Sequence, residues 1–229
     1  MQNETLLTAE SINKSFGPTH AVADFSIEIK PGEIRGLIGE NGSGKSTFSS
    51  IVVGLHRPDS GTLFLKGEQY SPANTEDAAK HGVALIVQEI GTIAGITVSA
   101  NIFLNKEEQF SKHGMLDFGR MNQEARRILD QIGGEHIDPT AITGTLNLED
   151  RKLVEIARAM YSEPMLLIID ETSNALTTHG RHILYKNMRE VRDRGGSVMF
   201  ITHDMEELVS VCDSVTVMRD GHFIRTLDK

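Results

Sequence analysis

The sequence has little of what export, disulfide scaffolds or membrane spans require. It contains one cysteine, Cys212, and its opening residues lack both a basic segment and an apolar core, so neither a disulfide framework nor a secretory signal is indicated. Its longest apolar runs, such as Met165–Ile169 and Val83–Val87, fall far short of the roughly 20 residues that span a bilayer. We therefore expect a protein of the reducing cytoplasm, and any membrane pore that it serves must be made by other chains.

Basic and aromatic residues are also scarce. The chain has 23 Lys and Arg against 32 Asp and Glu, a formal net charge of −9, no Trp and 5% aromatic residues. Nucleic-acid binding depends on Lys and Arg that neutralise phosphates, and single strands usually stack on aromatic rings. The composition therefore disfavours DNA or RNA as the main partner.

Short apolar strands alternate with amphipathic helices along most of the 229 residues. The segments IRGLIG, VALIVQE, MLLIID and SVMFIT are typical of buried strands. Helical spacing of apolar residues appears in MNQEARRILDQIG and LEDRKLVEIARAMYSE. This alternation predicts an α/β fold with a mostly parallel sheet, preceded by strands at the start of the chain and followed by a final hairpin.

A glycine-rich segment, GENGSGKS, follows the first of these apolar strands and opens a helix. It fits the phosphate-loop pattern G-x-x-x-x-G-K-[ST], in which glycines let backbone N–H groups wrap round phosphates. Lys45 would reach the β and γ phosphates of ATP, and the Ser46 hydroxyl would ligate Mg²⁺. The alternative is a glycine-rich turn with a surface lysine. The predicted nucleotide contacts in this segment are Gly39, Glu40, Asn41, Gly42, Ser43, Gly44, Lys45, Ser46 and Thr47.

Two carboxylates end the strand MLLIID. Asp170 stands where a phosphate-loop ATPase places the aspartate associated with Mg²⁺, and Glu171 could polarise the attacking water. The alternative is an acidic helix cap after a core strand.

The order of these motifs resembles the ABC ATPase family over nearly the whole chain. The resemblance implies that Gln88 in ALIVQE is a Mg²⁺ and water ligand, that His203 in FITHD contacts the γ-phosphate, and that Phe16 in KSFG stacks on adenine. Taken singly, each has a plainer interpretation, as a strand-end polar residue, a helix N-terminal residue and a core residue respectively. The implied catalytic residues are Glu171, His203, Lys45 and Gln88, and the implied Mg²⁺ ligands are Ser46, Gln88 and Asp170.

The resemblance also implies an architecture. It is a P-loop NTPase fold with a mostly parallel central sheet, an antiparallel β subdomain and an inserted helical subdomain. The expected nucleotide-binding core is 1–90 with 163–229, and the expected helical subdomain is 91–162. We expect one ABC ATPase domain that forms the N-terminal half of a longer two-domain chain.

Finer matches, including GLHRPDSGT, ITVSANIFL and THDMEELVSVCDSVTVMRDG, look like the ATPases of bacterial simple-sugar importers of the ribose and galactose type. The resemblance implies an ATP-hydrolysing subunit at the cytoplasmic face of the membrane that drives carbohydrate uptake. Its implied partners are a second ABC ATPase domain in a head-to-tail dimer, a transmembrane permease and, indirectly, an extracytoplasmic sugar-binding protein, with no nucleic acid. The transported sugar is not encoded in this chain.

The family signature, L-S-G-G-Q or L-S-x-G-Q, is altered here. The matching stretch has Asn147 for the serine, Glu149 for the glycine and Asp150 for the glutamine. We expect Asn147 to cap the following helix with Asp150 as its capping-box partner. Two further departures follow Glu171, where Thr172 replaces a proline and Thr177 replaces the aspartate of S-A-L-D.

These changes spare the residues that bind this domain's own ATP and alter those offered to its partner. They suggest that, in a head-to-tail pair, the site built on this phosphate loop hydrolyses ATP while the reciprocal site is impaired. Two alternatives stay open: a nucleotide-sensing regulatory domain with little turnover, and a soluble ABC protein acting on ribosomes or DNA. Members of the last class usually carry long insertions and basic surfaces, which this sequence lacks.

Overall fold

A computed structural model describes residues 5–112 and 114–228 of the chain. These residues fold into two units. The first comprises the chain up to Leu85, Pro164–Glu171 and the chain from Met188 on, and the second comprises Ile86–Glu163 and Thr172–Asn187. The subdomain boundaries expected from the sequence, at residues 91 and 162, stay a prediction.

The secondary structure follows the predicted alternation. In chain order the strands are β1 (Leu7–Phe16), β2 (Thr19–Ile29), β3 (Ile34–Ile38), β4 (Ser60–Leu65), β5 (Glu68–Tyr70), β6 (Val83–Ile86), β7 (Ser111–Lys112), β8 (Met115–Leu116), β9 (Leu166–Asp170), β10 (Ser197–Ile201), β11 (Ser214–Arg219) and β12 (His222–Asp228). The helices are α1 (Lys45–Val52), α2 (Thr75–Lys80), α3 (Val98–Ile102), α4 (Phe118–Ile132), α5 (Leu148–Tyr161), α6 (Thr178–Asp193) and α7 (Met205–Val211).

A six-stranded sheet runs through the first unit in the order β12-β11-β3-β10-β9-β6. Strand β10 pairs in parallel with β3 and β9, and β11 pairs in parallel with β3, whereas β12 is antiparallel to β11. Every residue of β9 and β10 is buried, as expected for parallel strands covered on both faces. The predicted mostly parallel central sheet is confirmed.

An antiparallel sheet, ordered β2-β1-β4-β5, belongs to the same unit. Strand β1 pairs with both β2 and β4, and β4 pairs with β5. The ring of Phe25 on β2 lies 4.8 Å, edge to face, from that of Phe48 on α1, and both side chains are fully buried. This contact holds α1, the helix that begins at the glycine-rich segment, against the antiparallel sheet.

Helices dominate the second unit. Helix α4 buries Met121, Ala125, Ile128, Leu129 and Ile132, which recur at the spacing of one helix face. The helices predicted from MNQEARRILDQIG and LEDRKLVEIARAMYSE are thus confirmed. The β7-β8 pair in the same region was not predicted, because two-residue strands are too short to show an alternating pattern. Within the described residues, no helix is long and apolar enough to cross a membrane.

Candidate functional site

The segment Gly39–Ser46 joins β3 to α1 and approaches neighbouring backbone closely. A Cβ atom at Gly39 would lie 2.2 Å from the carbonyl oxygen of Met218, and one at Gly44 would lie 2.1 Å from that of Ala21. Gly44 also has a φ of +101°, in the left-handed region that L side chains rarely adopt. Only glycine therefore fits at these two positions of the predicted phosphate loop.

Helix α1 carries no acidic side chain of its own at its start. Its N-cap is Gly44, no side chain of the described residues caps it, and its first turn holds no acidic residue. The first N–H groups of a helix have no partner within the helix and favour negative charge. The start of α1 is therefore suited to a phosphate.

Lys45 is buried, with 4% of its surface exposed. Its Nζ donates to the carbonyl oxygens of Gly39 at 2.9 Å and Glu40 at 3.0 Å. The buried Ser43 Oγ has no hydrogen-bond partner among the described residues. An ammonium and a hydroxyl held inside a glycine-rich loop fit the phosphates of a nucleotide, and the interpretation of Lys45 as a surface lysine is wrong.

Asp170, at the end of β9, lies beside the start of α1. Its carboxylate accepts hydrogen bonds from the Ser46 and Ser49 hydroxyls, the latter at 3.3 Å. Burial raises the pKa of the Asp170 carboxyl above its ordinary value, and these hydrogen bonds partly oppose that shift. The structure thus brings together Ser46 and Asp170, two of the three predicted Mg²⁺ ligands. Oxygen donors of this kind fit Mg²⁺.

Ser49 was not predicted as part of the site. Because it lies three residues after Ser46 on α1, both hydroxyls share a helix face. That spacing could have revealed it.

Glu171 and His203 also come together. Glu171 Oε1 lies 4.0 Å from His203 Nδ1, with the glutamate side chain 12% exposed and the histidine side chain 57% exposed. Glu171 has a φ of +43°, and its backbone N–H donates to the Ile201 carbonyl at 2.9 Å. A non-glycine residue held in this region is strained, and such strain is concentrated at functional sites.

Phe16 is not a core residue, since 45% of its surface is exposed. The rings of Phe16 and His56 pack edge to face with their centroids 5.1 Å apart, and Lys14 Nζ lies 5.5 Å from the Phe16 centroid. Asp59 accepts hydrogen bonds from Lys14 Nζ at 2.8 Å and from the Ser15 backbone N–H at 2.6 Å. The end of β1 thus presents an exposed ring, as stacking on a base requires. No sequence pattern indicated the His56 and Asp59 contacts.

Gln88 belongs to the second unit, in the segment that follows β6. Its side chain is exposed, as is that of Glu89, whereas Val87 is partly buried.

The altered signature is capped by its own side chains. The backbone N–H of Asp150 donates to Asn147 Oδ1 at 2.8 Å, which confirms Asn147 as the N-cap of α5. The reciprocal bond runs from Asn147 Nδ2 to Asp150 Oδ2 at 2.9 Å, whereas a capping box uses the N-cap backbone N–H. Asp150 Oδ1 also lies 2.7 Å from His136 Nε2.

Glu149 connects two of the departures from the family pattern. Its Oε1 accepts a hydrogen bond from the Thr177 hydroxyl at 2.7 Å. Glu149 stands in place of the signature glycine, and Thr177 stands in place of the aspartate of S-A-L-D. The two substitutions, 28 residues apart, therefore form one contact.

The glycine-rich loop Gly39–Gly44, here called the glycine cradle, the buried Lys45 and the Ser46–Asp170 pair are features of the P-loop NTPase fold. The same fold occurs in the ADP conformation of MJ1267, an ATP-binding cassette of an ABC transporter, with a TM-score of 0.83 at 24% identity over 98% of this chain and 91% of that chain. It also occurs in cbiO1 from Clostridium perfringens, with a TM-score of 0.79 at 24% identity over 98% of this chain and 89% of that chain. The family model described as ABC transporter matches residues 22–174. The chain belongs to the ABC transporter family.

Curated relatives give finer detail. The chain is 38% identical to the ribose import ATP-binding protein RbsA of Chromobacterium violaceum, over 95% of this chain and 43% of that protein. It is 37% identical to a putative ribose/galactose/methyl galactoside import ATP-binding protein of Agrobacterium fabrum, over 97% of this chain and 43% of that protein. It is 34% identical to the arabinose import ATP-binding protein AraG of Chromohalobacter salexigens, over 98% of this chain and 45% of that protein. The chain thus spans less than half the length of these relatives.

The raised pKa of Asp170 predicts a gain in stability from Asp170→Asn. Because the folded chain binds this proton more tightly than the unfolded chain, the contribution of Asp170 is largest at low pH and is lost as pH rises through its folded-state pKa. At neutral pH the variant removes a buried charge and should raise the Tm measured in the absence of nucleotide. In a chain of this size the Tm rises by about 2–4 °C for each kcal/mol gained in the free energy of unfolding. The gain should vanish at a pH where the carboxyl is protonated in both states.

Asp193→Asn is the matched control, because the Asp193 side chain is 65% exposed and its change should leave the Tm nearly unaltered. Thermal unfolding of the three proteins at neutral and acidic pH is the measurement. A lower Tm for Asp170→Asn at neutral pH would show that the charge is well solvated or well paired.

Proposed function

We propose that this chain is an ATP-binding and ATP-hydrolysing component of an ABC importer for a simple sugar. The observation that carries the proposal is the glycine cradle with Lys45 buried inside it and Ser46 beside Asp170. The names of the relatives, which concern ribose, galactose and arabinose import, support carbohydrate as the cargo class.

In this proposal the residues have separate roles. The backbone N–H groups of the cradle and Lys45 bind the phosphates of ATP, and the exposed ring of Phe16 stacks on adenine. Ser46, Asp170 and Gln88 hold Mg²⁺, which neutralises phosphate charge when bound. Glu171 orients the attacking water, and His203 contacts the γ-phosphate.

The partners follow from the same proposal. Two such domains close head to tail on ATP, and a transmembrane permease carries the sugar, with a sugar-binding protein acting outside the membrane. The domain therefore works at the cytoplasmic face of the membrane. A formal charge of −9 supports protein partners over nucleic acid.

The two ATP sites of such a pair are unequal. In the family, the signature helix offers its N-terminus to the γ-phosphate bound by the opposite domain. Here that helix begins with Glu149 and Asp150 in its first turn. A carboxylate and a phosphate a few ångströms apart repel by about 1–4 kcal/mol, depending on screening. The site that uses this phosphate loop is proposed to hydrolyse ATP, and the reciprocal site is proposed to be impaired.

A nucleotide-sensing regulatory domain is the second candidate function. The Glu149–Thr177 hydrogen bond favours it, because this contact occupies the helix end that catalysis in the opposite site would use. Such a domain would bind ATP without a permease partner.

Co-expression with a sugar permease, followed by purification in detergent, tests the proposed function. We expect the chain to co-purify with the permease and to bind ATP. Lys45→Ala should weaken ATP binding about 10- to 100-fold, as expected for loss of hydrogen bonds to a charged group. Lys80→Ala, at an exposed lysine paired with Glu76, should leave binding unaltered. ATP binding without permease association would favour the regulatory function.

Restoring the signature should revive the reciprocal site. In the assembled transporter, Glu171→Gln first abolishes ATP hydrolysis at the site built on this chain's phosphate loop. The substitutions Asn147→Ser and Glu149→Gly are then added. Residual ATP turnover should rise at least about fivefold, because the repulsive carboxylate is gone.

Thr177→Val serves as the control, since it breaks the Glu149 hydrogen bond and keeps the carboxylate. It should give no rise in turnover. If the restored signature gives none either, the proposed inequality of the two sites is wrong.

A further inference from the structure

A fully buried lysine, which has been given no role so far, lies in the second unit. Lys152, on α5, has 0% of its surface exposed. Taking an ammonium group out of water is costly unless it is paired and hydrogen-bonded. The contacts of Lys152 therefore indicate what this charge does.

All three Nζ donors of Lys152 are used. They reach the carbonyl oxygens of Val87 at 2.9 Å and Glu89 at 2.7 Å, and Glu155 Oε2 at 2.9 Å. The two carbonyl acceptors flank Gln88 on either side. An ammonium group has three protons, so its hydrogen-bonding capacity is spent on this segment and on its counter-ion.

Glu155 continues the same arrangement. It is 5% exposed, and its Oε1 accepts a hydrogen bond from the backbone N–H of Gly91 at 2.5 Å. Arg158, on the next turn of α5, donates to the Gly91 carbonyl at 3.2 Å. The segment 87–91 is therefore held against one face of α5 at both of its ends.

Thr172 lies near the Val87 end of this segment. Its side chain is buried, and Oγ1 lies 3.5 Å from the Val87 carbonyl oxygen, which is longer than the usual O–H···O range of about 2.5–3.0 Å. Proline, which the family resemblance places at this position, has no hydroxyl.

We propose that Lys152 and Glu155 are positioning residues for Gln88. They fix the backbone on both sides of Gln88, whose side chain is exposed. Substitution of residues that orient a metal ligand without touching the metal typically lowers metal affinity by about 10- to 100-fold. We expect a loss of this size here. The inference rests on the proposed role of Gln88 as a Mg²⁺ ligand.

A consequence concerns α5 itself. The same helix begins at the altered signature, with Asn147 as its N-cap. The Lys152 and Glu155 contacts therefore join the Gln88 segment to the helix that carries the altered signature.

The test removes the whole ion pair. Lys152→Met combined with Glu155→Met leaves no uncompensated buried charge, and apolar replacement of such a pair is often neutral for stability. The measurement is isothermal titration calorimetry of ATP binding to the chain, once with Mg²⁺ present and once with EDTA. The quantity compared is the ratio of the ATP affinity with Mg²⁺ to the ATP affinity with EDTA. The double variant should lose about tenfold in this ratio, with unaltered affinity in EDTA.

Three further proteins make the result interpretable. Gln88→Ala should lose a similar factor, and adding it to the double variant should cause no further loss, because all three residues act through one ligand. Lys106→Met is the matched control, since Lys106 Nζ bonds to Ser162 Oγ in the same unit and not to 87–91. It should keep the wild-type ratio.

The outcomes separate the inference from the function on which it rests. If Gln88→Ala lowers the ratio while the double variant keeps it, the positioning role is overturned. If Gln88→Ala keeps the ratio, the proposed Mg²⁺ role of Gln88 fails, and the positioning role fails with it.

Should the double variant not fold, Lys152→Gln combined with Glu155→Gln carries the test, because the two amides keep much of the side-chain length and leave no unpaired buried charge. It should speed amide hydrogen exchange at Gly91 and lower the ratio. Unaltered exchange and an unaltered ratio would overturn the inference.

Discussion

The packing of the phosphate loop against two backbone carbonyls is the constraint on which the nucleotide site depends. Met218 and Ala21 leave no room for a Cβ at Gly39 or Gly44. The chain can therefore enter α1 only through glycine, and a glycine N-cap supplies no side-chain acceptor. The helix start is left for an external anion, and Asp170, at the end of β9, lies beside Ser46 of the same helix.

Helix α5, unlike α1, carries negative charge of its own at its N-terminus. Asn147 caps it, and Glu149 and Asp150 place two carboxylates in its first turn. These charges stabilise the helix locally through its dipole. They also supply at this helix end the negative charge that a phosphate would bring. The contrast between α1 and α5 is the physical basis for the proposed inequality of the two ATP sites: the first turn of α1 has no acidic residue, and the first turn of α5 has two.

Much of this arrangement could be predicted because it is local in sequence. The phosphate loop, the buried strands and the cap at Asn147 each depend on residues within a few positions of one another. Contacts between distant residues could not be predicted in this way. Neither the Thr177 donor to Glu149 nor the Lys152 bonds around Gln88 leave a periodic trace, since they join segments that are 28 and more than 60 residues apart. Lysine is rarely fully buried in proteins, so the burial of Lys152 on α5 could not be expected from its residue type.

We propose that this chain retains its own half of an ATP site and has altered the half that it offers to a partner. The most direct measurement compares ATP binding with ATP turnover for the chain alone. A pair of identical copies would contain two altered signatures, so we predict Mg²⁺-dependent ATP binding with very slow hydrolysis. Rapid hydrolysis by the chain alone, abolished by Glu171→Gln, would contradict it.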